Sequence, residues 1–119
     1  MSVRTNPSTD LAGPEWAFAC EVVPARDAVR VRPVGSLDLA TAPLLEQHVE
    51  ELRRAGLRHL IVDLGGLSFM DSTGLRLVLQ LQAAARQDGF DIGFRPGPPN
   101  VQRVFEMTRT TDHVQFIET

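Results

Sequence analysis

The segment Asp71-Ser72-Thr73-Gly74 places a carboxylate and two hydroxyls directly ahead of a long apolar run, and no other part of the chain is as well equipped for chemistry. Asp-[Ser/Thr]-Gly is also the signature of aspartic proteases, but that chemistry needs two such loops facing each other, and this chain has one. Asp63 ends an apolar run, where a phosphoacceptor aspartate would stand. Such acceptors rely on a lysine, and all twelve basic residues here are arginine. The same absence removes a P-loop lysine, a Schiff base and a lysine general base. His48, His59 and His113 have no Gly-x-Ser-x-Gly nucleophile to serve and read as surface residues. Cys20 is the only cysteine, so no intramolecular disulfide forms, and no Cys/His spacing suits zinc. Neither catalysis nor a metal or other cofactor is expected of this chain.

The elements that must position Asp71 to Gly74 follow from apolar spacing. Trp16, Phe18, Cys20 and Val22 alternate with other residues up to Pro24, and Val29 and Val31 alternate with Arg30 and Arg32 beyond the turn Ala25-Arg26-Asp27, which predicts a β-hairpin. Pro33 removes a ladder donor, so the second strand is expected to fray or lie at an edge there. Gly35 to Thr41 reads as a loop, with Thr41 as N-cap ahead of Pro43, and Leu45, His48, Val49 and Leu52 form one face of a helix that stops at Gly56. Arg58 to Leu64 has the nearly unbroken apolar pattern of a central strand. After an apolar loop from Gly65 to Asp71, Ser72 opens a long helix carrying Leu75, Leu77, Val78, Leu79, Leu81 and Ala83 to Ala85, closed by Gly89. Phe90, Ile92 and Phe94 predict another strand, Asn100 a cap for a third helix bearing Val101, Val104, Phe105 and Thr108, and Val114 with Phe116 a short last strand. The order is β, β, α, β, α, β, α, β, an α/β fold with one mixed sheet packed against helices.

Length and charge set the outer limits. A chain of 119 residues accommodates one domain that buries roughly two-thirds of its unfolded surface without a disulfide or a metal. Met1 to Pro14, polar and broken by Pro7, Gly13 and Pro14, reads as a flexible leader, with residues 15–119 as the domain. A net charge of −3 argues against nucleic acid or an anionic membrane surface as the main partner. No stretch approaches the ~18 apolar residues of a membrane span, and the first residues lack the apolar run of a signal peptide. A reduced, cytoplasmic protein is the expectation.

The stretch from Val62 to Leu75, a strand ending in Asp63, a short apolar loop and Asp71-Ser72-Thr73-Gly74 opening a helix, resembles the hallmark of the STAS family, the domain of bacterial anti-sigma factor antagonists. Gly35-Ser36-Leu37-Asp38-Leu39 followed by Thr41-Ala42-Pro43 is similar to the family's second signature, and the likeness runs from about Trp16 to the end. Two positions depart from it: Ser36 stands where relatives often carry Glu, and Met107-Thr108-Arg109-Thr110 lacks the glycine often seen after the third helix.

The resemblance implies a partner-switching regulator of transcription. The hydroxyl at Ser72 would be phosphorylated by a partner that is both serine kinase and anti-sigma factor, a serine phosphatase would reverse this, and only the unmodified form would bind the kinase and release the sigma factor. A helix N-terminus suits a phosphate, whose charge of about −1.5 to −2 would then repel a partner fitted to the neutral hydroxyl. Alternatives stand beside these expectations. Ser72 could be an ordinary N-cap, and Thr73 is a competing acceptor. Asp38 either supports the partner interface or only forms a turn with Thr41. Phe69 and Met70 either form an exposed docking patch or close the core. Asp71, Gly74 and Leu75 complete the expected contact surface. The rival function is that of an unphosphorylated adaptor subunit on a transporter or signalling scaffold.

Overall fold

Alternation builds the first hairpin. In the computed structural model, which describes residues 18–117 and the backbone of Val3–Thr5, β2 (Ala19–Pro24) and β3 (Val29–Leu37) pair antiparallel from Ala19↔Val34 to Pro24↔Val29. The turn closes where Ala25 N–H donates to the Ala28 carbonyl at 2.8 Å. Val3–Thr5 form β1, antiparallel to β2 with Val3 opposite Val22. Part of the segment expected to be a flexible leader is therefore a strand: Val-Arg-Thr favours extended backbone, and β2 offers it an open edge. The rest of that leader, and Trp16, lie outside the described residues.

β3 is the centre of the sheet rather than a fraying edge. It pairs with β2 on one side and, on the other, in parallel with β4 (His59–Asp63) over Val29–Val31 and with β5 (Leu67–Met70) over Gly35–Leu37. Pro33 falls in the interval where β3 exchanges one partner for the other. A Cβ on Gly66 would lie 2.7 Å from the Pro33 carbonyl oxygen, so the polar edge of Pro33 faces the turn Leu64–Gly66, where no ladder bond is lost. The strand order is β1-β2-β3-β4-β6, where β6 spans Asp91–Arg95, with β5 attached to β3.

Two segments expected as loops are strands. β3 runs on to Leu37, so the loop before α1 (Ala42–Arg54) is only residues 38–41. Leu67–Met70 was expected to be part of a loop, but these residues add to β3 with Gly35 opposite Leu67 and Ser36 opposite Phe69. Ser68 is thus the extra residue of a bulge, where Gly35 takes a φ of 112°. The bulge turns Leu67 and Met70 inward and leaves Ser68 and Phe69 outside.

Helices α1, α2 (Ser72–Asp88) and α3 (Pro99–Met107) bury their apolar faces in one cluster with Val31, Leu60, Val62, Ile92 and Phe94. Gly56 and Gly89 end α1 and α2 with positive φ, as expected. α2 is buried on one side only: Arg76, Gln80, Ala83 and Arg86 are exposed. α3 starts with Pro99 in its first turn and no side-chain cap. Asn100, expected to cap it, instead donates its amide to the Ser68 carbonyl at 2.8 Å and ties α3 to β5. The last expected strand reduces to one bridge, Phe116 beside Phe94, with Phe116 edge-on to Phe105 at 5.1 Å. Among the described residues no helix is long and apolar enough to cross a membrane.

Candidate functional site

The two segments singled out in the sequence meet at one end of the sheet. Leu37 ends β3, and its carbonyl accepts the Asp71 N–H at 3.2 Å. This places the start of α2 beside the loop that follows β3. Asp71 has extended backbone, and its carboxylate accepts the N–H groups of Thr73 at 2.9 Å and Gly74 at 3.1 Å. Asp71 is therefore the N-cap, and Ser72 is the first helical residue rather than the cap. The carboxylate uses two of the free helix donors and puts its charge at the positive end of the helix dipole. The Ser72 side chain is left exposed to solvent.

Beneath it the helix is pressed against the sheet. A Cβ on Gly74 would stand 2.6 Å from Met70 Cγ and 2.8 Å from the Leu37 carbonyl oxygen, so only glycine fits this approach. Met70 is 2% exposed and Leu75 8%. Met70, Gly74 and Leu75, expected within the contact surface, are buried and form the base on which Ser72 is presented. Their burial follows from the bulge at Ser68 and from the inward face of α2.

Asp38 and Thr41 are locked in a turn. The Asp38 carboxylate accepts the N–H groups of Ala40 at 3.0 Å and Thr41 at 3.2 Å, while the Thr41 hydroxyl donates to the Ser36 carbonyl at 2.6 Å and accepts the Asp38 N–H at 2.9 Å. Thr41 thus precedes α1 but spends its hydroxyl on the end of β3 instead of capping the helix. The turn holds out Leu39, which is 76% exposed. Leu39 was not among the candidates. Its only signal in the sequence is an apolar residue stranded between turn formers, outside any periodic pattern.

Where the segments meet, the exposed side chains are Leu39 from the loop, Phe69 from β5, which is 49% exposed, Ser72 itself and, one helical turn on, Arg76, with Thr73 half-buried. Of the expected docking pair, Phe69 is outside and Met70 inside. Three other titratable side chains, Asp63, His59 and Cys20, belong to strands β4 and β2. Asp63 is buried, caps the turn Leu64–Gly66 through the Gly65 N–H at 2.9 Å, and lies 3.7 Å from Arg32 and 3.9 Å from Arg95. His59 pairs with Asp91 at 2.9 Å on exposed β4 and β6 residues. Burial pushes the Cys20 thiol up to about 12, so it is a neutral core residue at physiological pH. Among the described residues no group of three or more His, Cys, Asp or Glu side chains could hold a metal ion. What the site offers is an exposed hydroxyl on a buried base, with exposed apolar side chains, Leu39 and Phe69, on the adjoining segments.

Comparison with known proteins identifies the fold and the family. The chain is 34% identical over 82 residues to an anti-sigma-B factor antagonist of Staphylococcus aureus, covering 69% of this chain and 76% of the relative. Its fold superposes on the crystal structure of an anti-sigma factor antagonist from Mycobacterium paratuberculosis with a TM-score of 0.73 at 22% identity, over 89% of this chain and 90% of the other. It also superposes on the phosphorylated form of the Bacillus cell fate determinant SpoIIAA, with a TM-score of 0.63 at 23% identity, over 87% and 91%. Residues 20–119 match the STAS domain, nearly the whole described sheet with all three helices, and the chain belongs to the STAS domain family.

Proposed function

We propose that this protein is an anti-sigma factor antagonist whose surface around Ser72 binds an anti-sigma factor with serine kinase activity, and that phosphorylation of Ser72 ends the binding. The observation that carries the proposal is the exposed Ser72 at the first position of α2, at the end of the sheet where the segments bearing exposed Leu39 and Phe69 also meet. Those apolar side chains supply contact area, and the neutral hydroxyl stands on an adjoining segment. The kinase transfers the terminal phosphoryl group of ATP to Ser72 Oγ, ADP leaves, and the hydroxyl proton passes to a base of the kinase. The phosphate then brings bulk and negative charge into the contact. Thr73 is the poorer acceptor because it is half-buried where Ser72 is exposed. A serine phosphatase restores the hydroxyl, all of this takes place in the cytoplasm, and the domain itself turns nothing over.

Incubation with ATP and candidate kinases, followed by intact-mass measurement and phosphopeptide mapping, tests the proposal. One phosphate on Ser72, absent from Ser72→Ala, is expected, and Ser72→Asp should bind the same kinase at least about tenfold more weakly by calorimetry. A phosphate mapped elsewhere, or equal affinities for wild type and Ser72→Asp, would refute it. Purified protein alone should hydrolyse neither ATP nor GTP.

A further inference from the structure

The helix end that carries Ser72 is poorly prepared to neutralise a phosphate. Asp71 already occupies the N–H groups of Thr73 and Gly74 with its carboxylate, and its carbonyl takes the N–H of Leu75 at 3.0 Å. Of the donors that usually receive an anion at a helix start, those of Thr73 and Gly74 are spent and only the Ser72 N–H is left, while a second negative charge stands next in sequence. One N–H group does not balance a phosphate dianion, and the remaining compensation has to come from a side chain.

Arg76 supplies it by position. Ser72, Arg76 and Gln80 are all exposed and follow one another at intervals of four along α2, which stacks them on one face of the helix about 6 Å apart. An acidic group four residues before a basic one is the favourable orientation of such a pair. Among the described residues Arg76 has no ion pair and no side-chain hydrogen bond, unlike Arg53, which is held by Glu50 and Asp88. No carboxylate on α2, beside it or on the elements packed against it engages Arg76: not Asp71, Asp38 or Asp88, not Glu46, Glu50 or Glu51 on α1, not Asp91 on β6 and not Glu106 on α3, while β5 carries no charged residue. The next charge along α2 is Arg86, ten residues on.

We infer that Arg76 is an internal clamp for phosphoserine at position 72: its guanidinium pairs with the phosphate in cis, offsets the charge of Asp71 and holds the modified side chain along α2. The clamp rests on the proposal that Ser72 is phosphorylated, and it adds a regulatory residue to that site. Once Arg76 is engaged by the phosphate, it is withdrawn from any partner that approaches this face.

The test needs no kinase. Phosphoserine is incorporated at position 72 of the full chain during translation, in wild-type, Arg76→Gln and Arg76→Lys backgrounds, and the second phosphate ionisation, ordinarily near about 6, is followed by phosphorus NMR. The wild-type phosphate should titrate roughly 0.2–0.4 pH unit lower than in Arg76→Gln, with Arg76→Lys recovering much of the shift. Because Asp71 is common to all three, the difference isolates Arg76. In a cycle of melting temperatures, phosphorylation should destabilise Arg76→Gln more than wild type. Equal titration midpoints in wild type and Arg76→Gln would overturn the clamp. Kinase mapping that misses Ser72 would instead overturn the phosphorylation proposal, so the two failures are distinguishable.

Discussion

Replacing Gly74 with alanine should destabilise the domain, although alanine is the better helix former. In an exposed helix the change would stabilise by about 1 kcal/mol. Here the added Cβ would stand 2.6 Å from Met70 Cγ, 2.8 Å from the Leu37 carbonyl oxygen and 3.0 Å from Leu37 Cγ. Met70 can rotate, but the Leu37 carbonyl belongs to the central strand and is already fixed by the Asp71 N–H. Relief therefore requires the first turn of α2 to lift from β3, stretching that 3.2 Å bond. Overpacking of this kind costs about 1–3 kcal/mol, and losing a cap contact adds about 1 kcal/mol. The net expectation is a loss of about 1–3 kcal/mol and a melting temperature lower by roughly 5 °C or more. Urea unfolding of wild type and Gly74→Ala checks it, with hydrogen exchange at Asp71 to Leu75 reporting whether the loosening is local. Equal or greater stability of Gly74→Ala would mean that α2 does not rest on β3 as described.

Two further expectations concern positions away from the site. Arg109 follows α3 with a φ of 58°, in a cap where Thr110 N–H bonds the Phe105 carbonyl at 2.9 Å and Arg109 N–H that of Glu106 at 3.1 Å; Arg109→Gly should stabilise by about 0.5–1 kcal/mol in urea unfolding, and destabilisation would contradict the left-handed assignment. Cys20 stays protonated in the fold up to about 12 while the unfolded thiol ionises near its ordinary 9.0, so the unfolded state binds fewer protons in that window and stability falls as pH rises through it. With no Tyr and no Lys, no other side-chain type ionises there, and unfolding at pH 8–11 should show wild type losing stability faster than Cys20→Ala; parallel curves would rule the burial effect out.

Much of this architecture is legible in single residues. The hairpin, α1, α2, β4 and β6 announce themselves because their apolar residues keep one period between clear stops such as Gly56 and Gly89. β5 does not, because the bulge at Ser68 sets its two buried residues, Leu67 and Met70, three apart, a spacing that fits no strand. Pro33 misleads for a related reason: whether a missing N–H matters depends on what lies across from it, and that is a partner exchange visible only in three dimensions. At the site, the choice of Asp71 over Ser72 as cap cannot be read locally, since both side chains are competent. A tertiary contact, Asp71 N–H to the Leu37 carbonyl, decides it. The segments that make up the candidate site stand out in the sequence, and the division of their residues into buried base and exposed surface does not.

The exchange of partners along β3 also fixes where the chain tolerates added length. The turn Leu64–Gly66 meters β5 against β3, so one residue inserted there would slip the register, turning Met70 to solvent and driving Phe69 inward, and would carry Ser72 with it. The hairpin Ala25–Ala28 lies at the other end of β3, nine residues or roughly 30 Å from the site, and its exposed Arg26 and Asp27 meter nothing downstream. Fluorophores, affinity handles or even a grafted domain belong at that tip, where they leave the Ser72 face clear.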